Sequence, residues 1–424
     1  MDTPHMNQRQ PLYAWIVMPH LWAMDLVNNM IFFSIGVLIP IWKDDLGISS
    51  TEAGLLGSAG FLGFGLAALP ASIWLTRFSP KKITLLCAAG MGALAIGQSV
   101  ATATLVLMVT RLLFVMLAAA RIQIQVIFIQ QWFQPRFYAP INSLDFGSRA
   151  FGQMVAIAAT PALILLLNGW RNYYLILGLG MLAITVSWVF LGKDRNRSQQ
   201  EGGSSPQIGS PAGVLRRHKV LWLVAGAQMG AAVAFGSFMT FYPTYAIDRL
   251  DISLETAGLL MGVFPVGATL GTLVAGPLSQ LVGRRKPFIW VPGLLLPTSY
   301  ILLLQMNSLP LSMLFLFTAG FGAMTVPPIL ATIPMDMRLP HREVAVAQGL
   351  IRTLFPFSAM WGPLFVGLME ERTGSLYLGL MIVAPLAITL FIAGILLPET
   401  GAKGRAPITV SSSQLISRPG RYNE

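Results

Sequence analysis

Charge is scarce in this chain: 11% of its 424 residues are Asp, Glu, Lys or Arg, against roughly a quarter in an ordinary soluble domain. Too little polar surface remains to clothe a water-exposed fold of that length. Cysteine is scarcer still. The single thiol, Cys87, lies in an apolar run, which excludes a disulfide within the chain and makes it a small packing residue. The four histidines form no pair at metal-ligand spacing. No Gly-x-Ser-x-Gly precedes a helical run, and no Gly-rich loop ends in Lys-Ser or Lys-Thr. An enzyme, a resident metal or cofactor, and an ATP-driven pump are therefore not expected. A cleavable leader is not expected either, because the first apolar run, Tyr13–Ile41, is too long for a signal core.

Apolar length is what the chain has. Hydrophobic residues make up 54% of it, and the charges sit in islands between stretches of about 20 residues or more, enough to cross a hydrocarbon core of about 30 Å. Six such stretches fall near Tyr13–Ile41, Glu52–Leu75, Ile83–Thr102, Leu105–Gln130, Ala139–Leu167 and Tyr173–Leu191. Six more fall near Val220–Ala246, Thr256–Val282, Pro287–Met306, Leu311–Pro334, Val344–Leu368 and Leu376–Leu397. The expectation is an all-α membrane protein of twelve transmembrane helices in two six-helix bundles, residues 13–191 and 220–398. Residues 1–12, a polar linker over 192–219 with Gly202, Gly203, Ser204 and Ser205 at its middle, and a polar tail over 399–424 lie outside them.

A net charge of +11 would suit nucleic acid, but the basic residues sit in loops between spans rather than on one face. With the N-terminus inside, twenty Lys and Arg lie in the inner segments, whereas the outer loops hold four: Lys43, Arg171, Arg249 and Arg372. This bias predicts a multi-pass cell (inner) membrane protein with both termini cytoplasmic. The expected partners are lipid, a small solute and protons, with no nucleic acid, and the expected state is a monomer.

The halves repeat. Ile48-Ser49-Ser50-Thr51-Glu52-Ala53-Gly54-Leu55-Leu56 recurs as Ile252-Ser253-Leu254-Glu255-Thr256-Ala257-Gly258-Leu259-Leu260, 204 residues later. At the same offset Ser79-Pro80-Lys81-Lys82 meets Gly283-Arg284-Arg285-Lys286, and Tyr173 meets Tyr377. Parallel repeats of this kind place a solute site between the halves, near mid-membrane.

The loop Gly276-Pro277-Leu278-Ser279-Gln280-Leu281-Val282-Gly283-Arg284-Arg285-Lys286 resembles the loop motif of the major facilitator superfamily, with Gln280 at its acidic position. A second copy runs from Ser72 to Lys82, with Thr76 for the acid and Ser79 for the glycine. Arg111, Trp132-Phe133-Gln134-Pro135-Arg136 and Gly169-Trp170-Arg171 are similar to further family features. The resemblance covers nearly the whole chain and implies a two-bundle transporter in which spans four, five and eleven line the cavity. Met24-Asp25-Leu26-Val27-Asn28-Asn29, with Lys43-Asp44-Asp45-Leu46-Gly47-Ile48-Ser49, looks like the first span of the anion:cation symporters, carriers of organic anions such as sugar acids.

Six ionisable residues fall inside the spans: Asp25, Arg111, Arg121, Asp145, Arg149 and Arg352. Each costs about 2.5–3.5 kcal/mol near a helix centre, so it should face water or a partner. Four arginines outnumber two carboxylates. Arginine's planar fork suits a carboxylate or phosphate, so Arg121, Arg149 and Arg352, with Gln125 and Gln348, are the candidate anion-binding residues. Arg149 and Arg352 occupy matching places in the two repeats, to within one residue. The blander alternative is that Asp145 and Arg149, four apart, simply pair. Asp25 is the candidate proton carrier with Arg111 beside that role; the alternative is a permanently ionised Asp25 held by an arginine such as Arg111. His20 is read as a packed polar residue, and Trp22, Trp132, Trp170, Trp222 and Trp361 as interface anchors. The expected function is alternating-access transport of a small organic anion, most simply a carboxylate, with protons. Anion exchange, efflux of amphiphilic compounds, and a receptor that kept the fold are the competing readings.

Overall fold

In lipid every backbone N–H and C=O must be satisfied within its own segment, so apolar runs of this length become helices. The structure, a computed structural model, describes residues 13–74, 78–133, 138–194, 216–337, 341–401 and 403, and these are helical without strands. In chain order the helices are α1 (Ala14–Phe33), α2 (Ile35–Leu46), α3 (Ser50–Trp74), α4 (Pro80–Ser99), α5 (Thr104–Trp132), α6 (Tyr138–Leu166) and α7 (Trp170–Leu191). There follow α8 (Val220–Gly226), α9 (Met229–Leu250), α10 (Leu254–Val282), α11 (Pro287–Gln305), α12 (Leu309–Asp336), α13 (His341–Ala359) and α14 (Trp361–Thr373). The last span is α15 (Leu376–Val383), a 3-10 turn (Ala384–Ile388) and α16 (Thr389–Leu396).

Ten segments among the described residues are long and apolar enough to cross a membrane. The second and eleventh expected spans are occupied by α3 and by α13 with α14, interrupted at Met360. The first expected span is also interrupted, at Ser34, whose hydroxyl donates to Ile31 O at 3.0 Å, and its helical run continues past Ile41 to Leu46. Residues 195–215 of the expected linker, residues 1–12, most of the tail, and Arg77, Arg136 and Arg338 lie outside the described residues.

The repeat is visible in the geometry at the same 204-residue offset. Gly47 and Asp251 both end a helix in the left-handed region, at φ 63° and 51°. Ser49 accepts from Glu52 N while Glu52 accepts from Ser49 N, a capping box at the start of α3; Ser253 accepts from Thr256 N at the start of α10. Lys81 N, at the start of α4, donates to Asp194 at 2.9 Å, and Arg285 N, just before α11, donates to Glu399 at 2.7 Å. In each half a carboxylate after the last span thus closes the exposed N–H groups of the third, where the helix dipole also favours negative charge. In the second-half loop, Arg285 pairs with Asp336 at 3.1 Å, an acid from the end of α12 in place of one at Gln280.

Across the two halves, α3 packs on α13 and α14, α6 on α10, and α2 on α9. The contact is tightest at the end that carries Lys43. A Cβ on Gly367 would stand 2.3 Å from Ser50 O, and one on Gly54 2.5 Å from Pro363 O, so backbone meets backbone, as small residues allow in membrane helices. Lys43 Nζ pairs with Glu370 at 2.7 Å, Thr51 N donates to Glu371, and Ser58 Oγ donates to Met360 O at 2.5 Å. This end of the molecule is closed.

Candidate functional site

Helical spacing gathers the polar side chains of three spans. On α1, Trp22, Asp25 and Asn29 recur at three- and four-residue steps and share a face. Arg121 and Gln125 on α5, and Asp145 and Arg149 on α6, are each four apart. Asn29 Nδ2 donates to Arg149 O at 3.1 Å, joining α1 to α6; a Cβ on Gly152 would stand 2.8 Å from that amide, so glycine leaves the amide room to make this bond.

The result is a closed polar network within the first half. Arg121 Nη2 donates to Asp25, and Arg121 Nη1 donates to Gln125 Oε1 at 3.1 Å. Gln125 Nε2 bridges the carboxylates, donating to Asp25 Oδ2 at 3.0 Å and to Asp145 Oδ1. Trp22 Nε1 reaches the same Asp145 oxygen at 3.1 Å. Arg149 Nη2 donates to Asp145 Oδ2 at 2.7 Å, and its Nε lies 3.5 Å from Asp25 Oδ2. Side-chain exposure rises in order along it, from 0% at Arg121 through 3% at Asp25 and 6% at Asp145 to 24% at Arg149. Two carboxylates meet two guanidiniums, so the network is electrically balanced, which is the condition for holding charge at membrane depth.

The expected residues therefore divide. Arg121, Arg149, Gln125 and Asp25 come together, but each of the two arginines already holds a carboxylate, and the Asp145–Arg149 pairing forms. Asp25 is held by Arg121 rather than by Arg111. Gln348 stands apart, its Nε2 donating to Ala331 O at 2.6 Å, and Arg352 is exposed on α13 with no partner among the described residues. His20 turns to Ile16 O, away from Asp25. Trp22, expected at the interface, is a network member. Its position three residues before Asp25 was the available signal. Trp222 and Trp361 are half exposed, as interface residues would be. Asp145 was legible as an intramembrane carboxylate and as Arg149's neighbour, but not as a site residue.

Arg111 is the exception among the buried cations. It is 2% exposed and faces backbone oxygens, donating to Leu56 O at 3.1 Å, Ile31 O at 3.3 Å and Phe32 O at 2.8 Å, with the Phe32 ring beneath it. No carboxylate stands opposite it among the described residues. It lines a small cavity of about 20 Å³ where the halves meet, walled by Phe32, Phe61, Met239, Thr240 and Met261, room for about one water.

The sequence profile described as "Major Facilitator Superfamily" matches residues 21–336 and 227–419. The chain belongs to the major facilitator superfamily. It is accordingly an integral, multi-pass membrane transporter, not an enzyme. Among its superfamily relatives is a probable sulfoacetate transporter of Cupriavidus necator, 21% identical, covering 82% of this chain and 85% of that one. The hexuronate transporter of Bacillus subtilis is also 21% identical, covering 92% and 97%. A gallate transporter of Pseudomonas putida is 23% identical, over 66% and 68%. Among solved superfamily structures, a bacterial homolog of the human lysosomal transporter Spinster, in an inward-facing and unoccupied conformation, superposes with a TM-score of 0.76 at 17% identity, covering 93% and 99%.

Proposed function

We propose that this protein carries a small organic anion, a carboxylate or sulfonate, by rocking two six-helix bundles of a twelve-span fold around a site between them, with protons as the coupling ion. The observation that carries the reading is Arg111: a buried guanidinium, without a carboxylate, in the wall of the cavity between the halves. Its hydrogen bonds are met by neutral carbonyls, which leave its charge uncompensated, and an anion that reaches it when the two halves part supplies the missing charge. The relatives named for sulfoacetate, hexuronate and gallate support the same substrate class. Arg149, the partly exposed edge of the network, is the second anion contact, reached from the end opposite Lys43. Positive-inside bias makes that opposite end cytoplasmic, so the closed end faces out.

The test is a thermal-shift screen of the purified protein against sulfoacetate, glucuronate and gallate, beside cationic amphiphiles. A ligand that binds the folded form raises its melting temperature. The anions are expected to do so and the cations not; a shift with cationic amphiphiles alone would replace this reading by efflux.

A further inference from the structure

The network of Asp25, Asp145, Arg121 and Arg149 is balanced only while Arg149 stays in it. Asp25 has a second counter-charge, since Arg121 holds it from the fully buried side. Asp145 does not: its other partners, Gln125 Nε2 and Trp22 Nε1, are neutral. Arg149 is also the most exposed of the four, and its Nε has no hydrogen-bond partner among the described residues. We propose that Asp145 is the proton-carrying group and that Arg149 couples it to the anion, because one guanidinium neutralises either Asp145 or the solute.

When an anion draws Arg149 away, Asp145 is left as an uncompensated carboxylate in an apolar setting, where the neutral acid is favoured. It takes one proton from water on the open side, forming its O–H bond. When the anion leaves and Arg149 returns, that bond breaks and the proton goes back to water. Asp25 keeps its own counter-charge throughout, paired with Arg121. One proton therefore travels with each anionic group that engages Arg149. The charged and titratable groups around Asp145 are Asp25 from α1, Arg121 from α5 and Arg149 on α6 itself, while His20 on α1 is bonded to Ile16 O at 2.9 Å. Cys87 on α4 lies in the field of Arg121. From α10, packed along α6, the one acid is Glu255 in its first turn, at the closed end. From α2 come Lys43, Asp44 and Asp45, also at the closed end, and α7 contributes Arg171, paired with Asp45, Tyr173, bonded to Thr160, and Tyr174, beside Ser34.

This assignment rests on the anion-transport reading but is tested without substrate. Infrared spectra of the lipid-reconstituted protein are compared for wild type, Arg149→Gln and Arg149→Lys. The carbonyl band of a protonated carboxylic acid should appear near neutral pH in Arg149→Gln and not in Arg149→Lys, which keeps the charge and guards against a general loss of packing. The band should shift in frequency when Trp22→Phe, which removes an indole N–H that reaches Asp145 and not Asp25, is added to Arg149→Gln, and it should vanish when Asp145→Asn is added. Absence of the band in Arg149→Gln, or a band that Trp22→Phe leaves unmoved, overturns the assignment. In a second measurement, the KM for glucuronate counterflow should rise about tenfold per pH unit once Asp145 ionises, and should be flat with pH in Asp145→Asn. A flat wild-type profile overturns the coupling. Absence of glucuronate transport counts against the anion reading, and the infrared result still decides the proton carrier.

Discussion

Trp22 holds Asp145 through a single indole N–H, and Arg121 holds Asp25 at zero exposure, so the two contacts should respond differently to substitution. Trp22→Phe removes one hydrogen bond to a charged group, a loss of about 1.5–3 kcal/mol, seen as a lower melting temperature. Arg121→Gln strands a carboxylate and should cost about 3–5 kcal/mol. The double variant Arg121→Gln with Asp25→Asn should recover much of that. Simple additivity of the two singles, measured by thermal denaturation in detergent, would mean that the pair is not coupled. At the closed end, Asp45 accepts from Trp170 Nε1 at 2.9 Å and from Arg171, and these bonds hold its carboxyl below the usual range. A group whose folded pKa is depressed stabilises above its unfolded pKa and loses that contribution as pH falls through the folded value. Melting temperature should therefore fall on acidification below about pH 4, the ordinary Asp range, and Asp45→Asn should flatten that limb.

At the scale of elements, the closure between α3 and α14 depends on backbone approach at Gly54 and Gly367 together with the Lys43–Glu370 pair. Gly367→Val places a branched side chain against Ser50 O and should wedge this end open. With Cys87→Ser as background, a cysteine introduced at Thr240, 1% exposed beside the interface, should react with a maleimide severalfold faster in the Gly367→Val protein. Unchanged labelling would show that the glycine contact does not hold the gate. The repeat and the apolar run lengths were legible in the sequence because they are written locally. The capping box at Ser49 and Glu52 and the left-handed residues at 47 and 251, which mark the helix ends, come from the structure. The break at Ser34 was not legible, since a lone serine whose hydroxyl bonds back to Ile31 O is tolerated inside an apolar helix and does not by itself mark an interruption.

At the scale of the whole molecule, ten of the apolar spans, the sequence repeat and the presence of intramembrane charge could be read from one dimension, whereas who neutralises whom could not. Asp25 and Arg121 are 96 residues apart, and Arg149 reaches Asp25 from a third helix. Such pairing depends on how α1, α5 and α6 rotate against one another, which hydropathy does not encode. The arithmetic of four arginines and two carboxylates did survive: Arg121 and Arg149 take the carboxylates, and Arg111 and Arg352 are left. Of those two, Arg111 is the one buried at the meeting of the halves, and the account stands on it. The direct measurement is glucuronate and sulfoacetate counterflow in proteoliposomes carrying wild type, Arg111→Lys or Arg111→Gln, with folding checked by melting temperature. The account predicts a loss of at least about tenfold in apparent affinity for a folded Arg111→Gln protein, the scale of one charge-assisted hydrogen bond, with partial retention in Arg111→Lys. Unaltered affinity in a folded Arg111→Gln protein would contradict it.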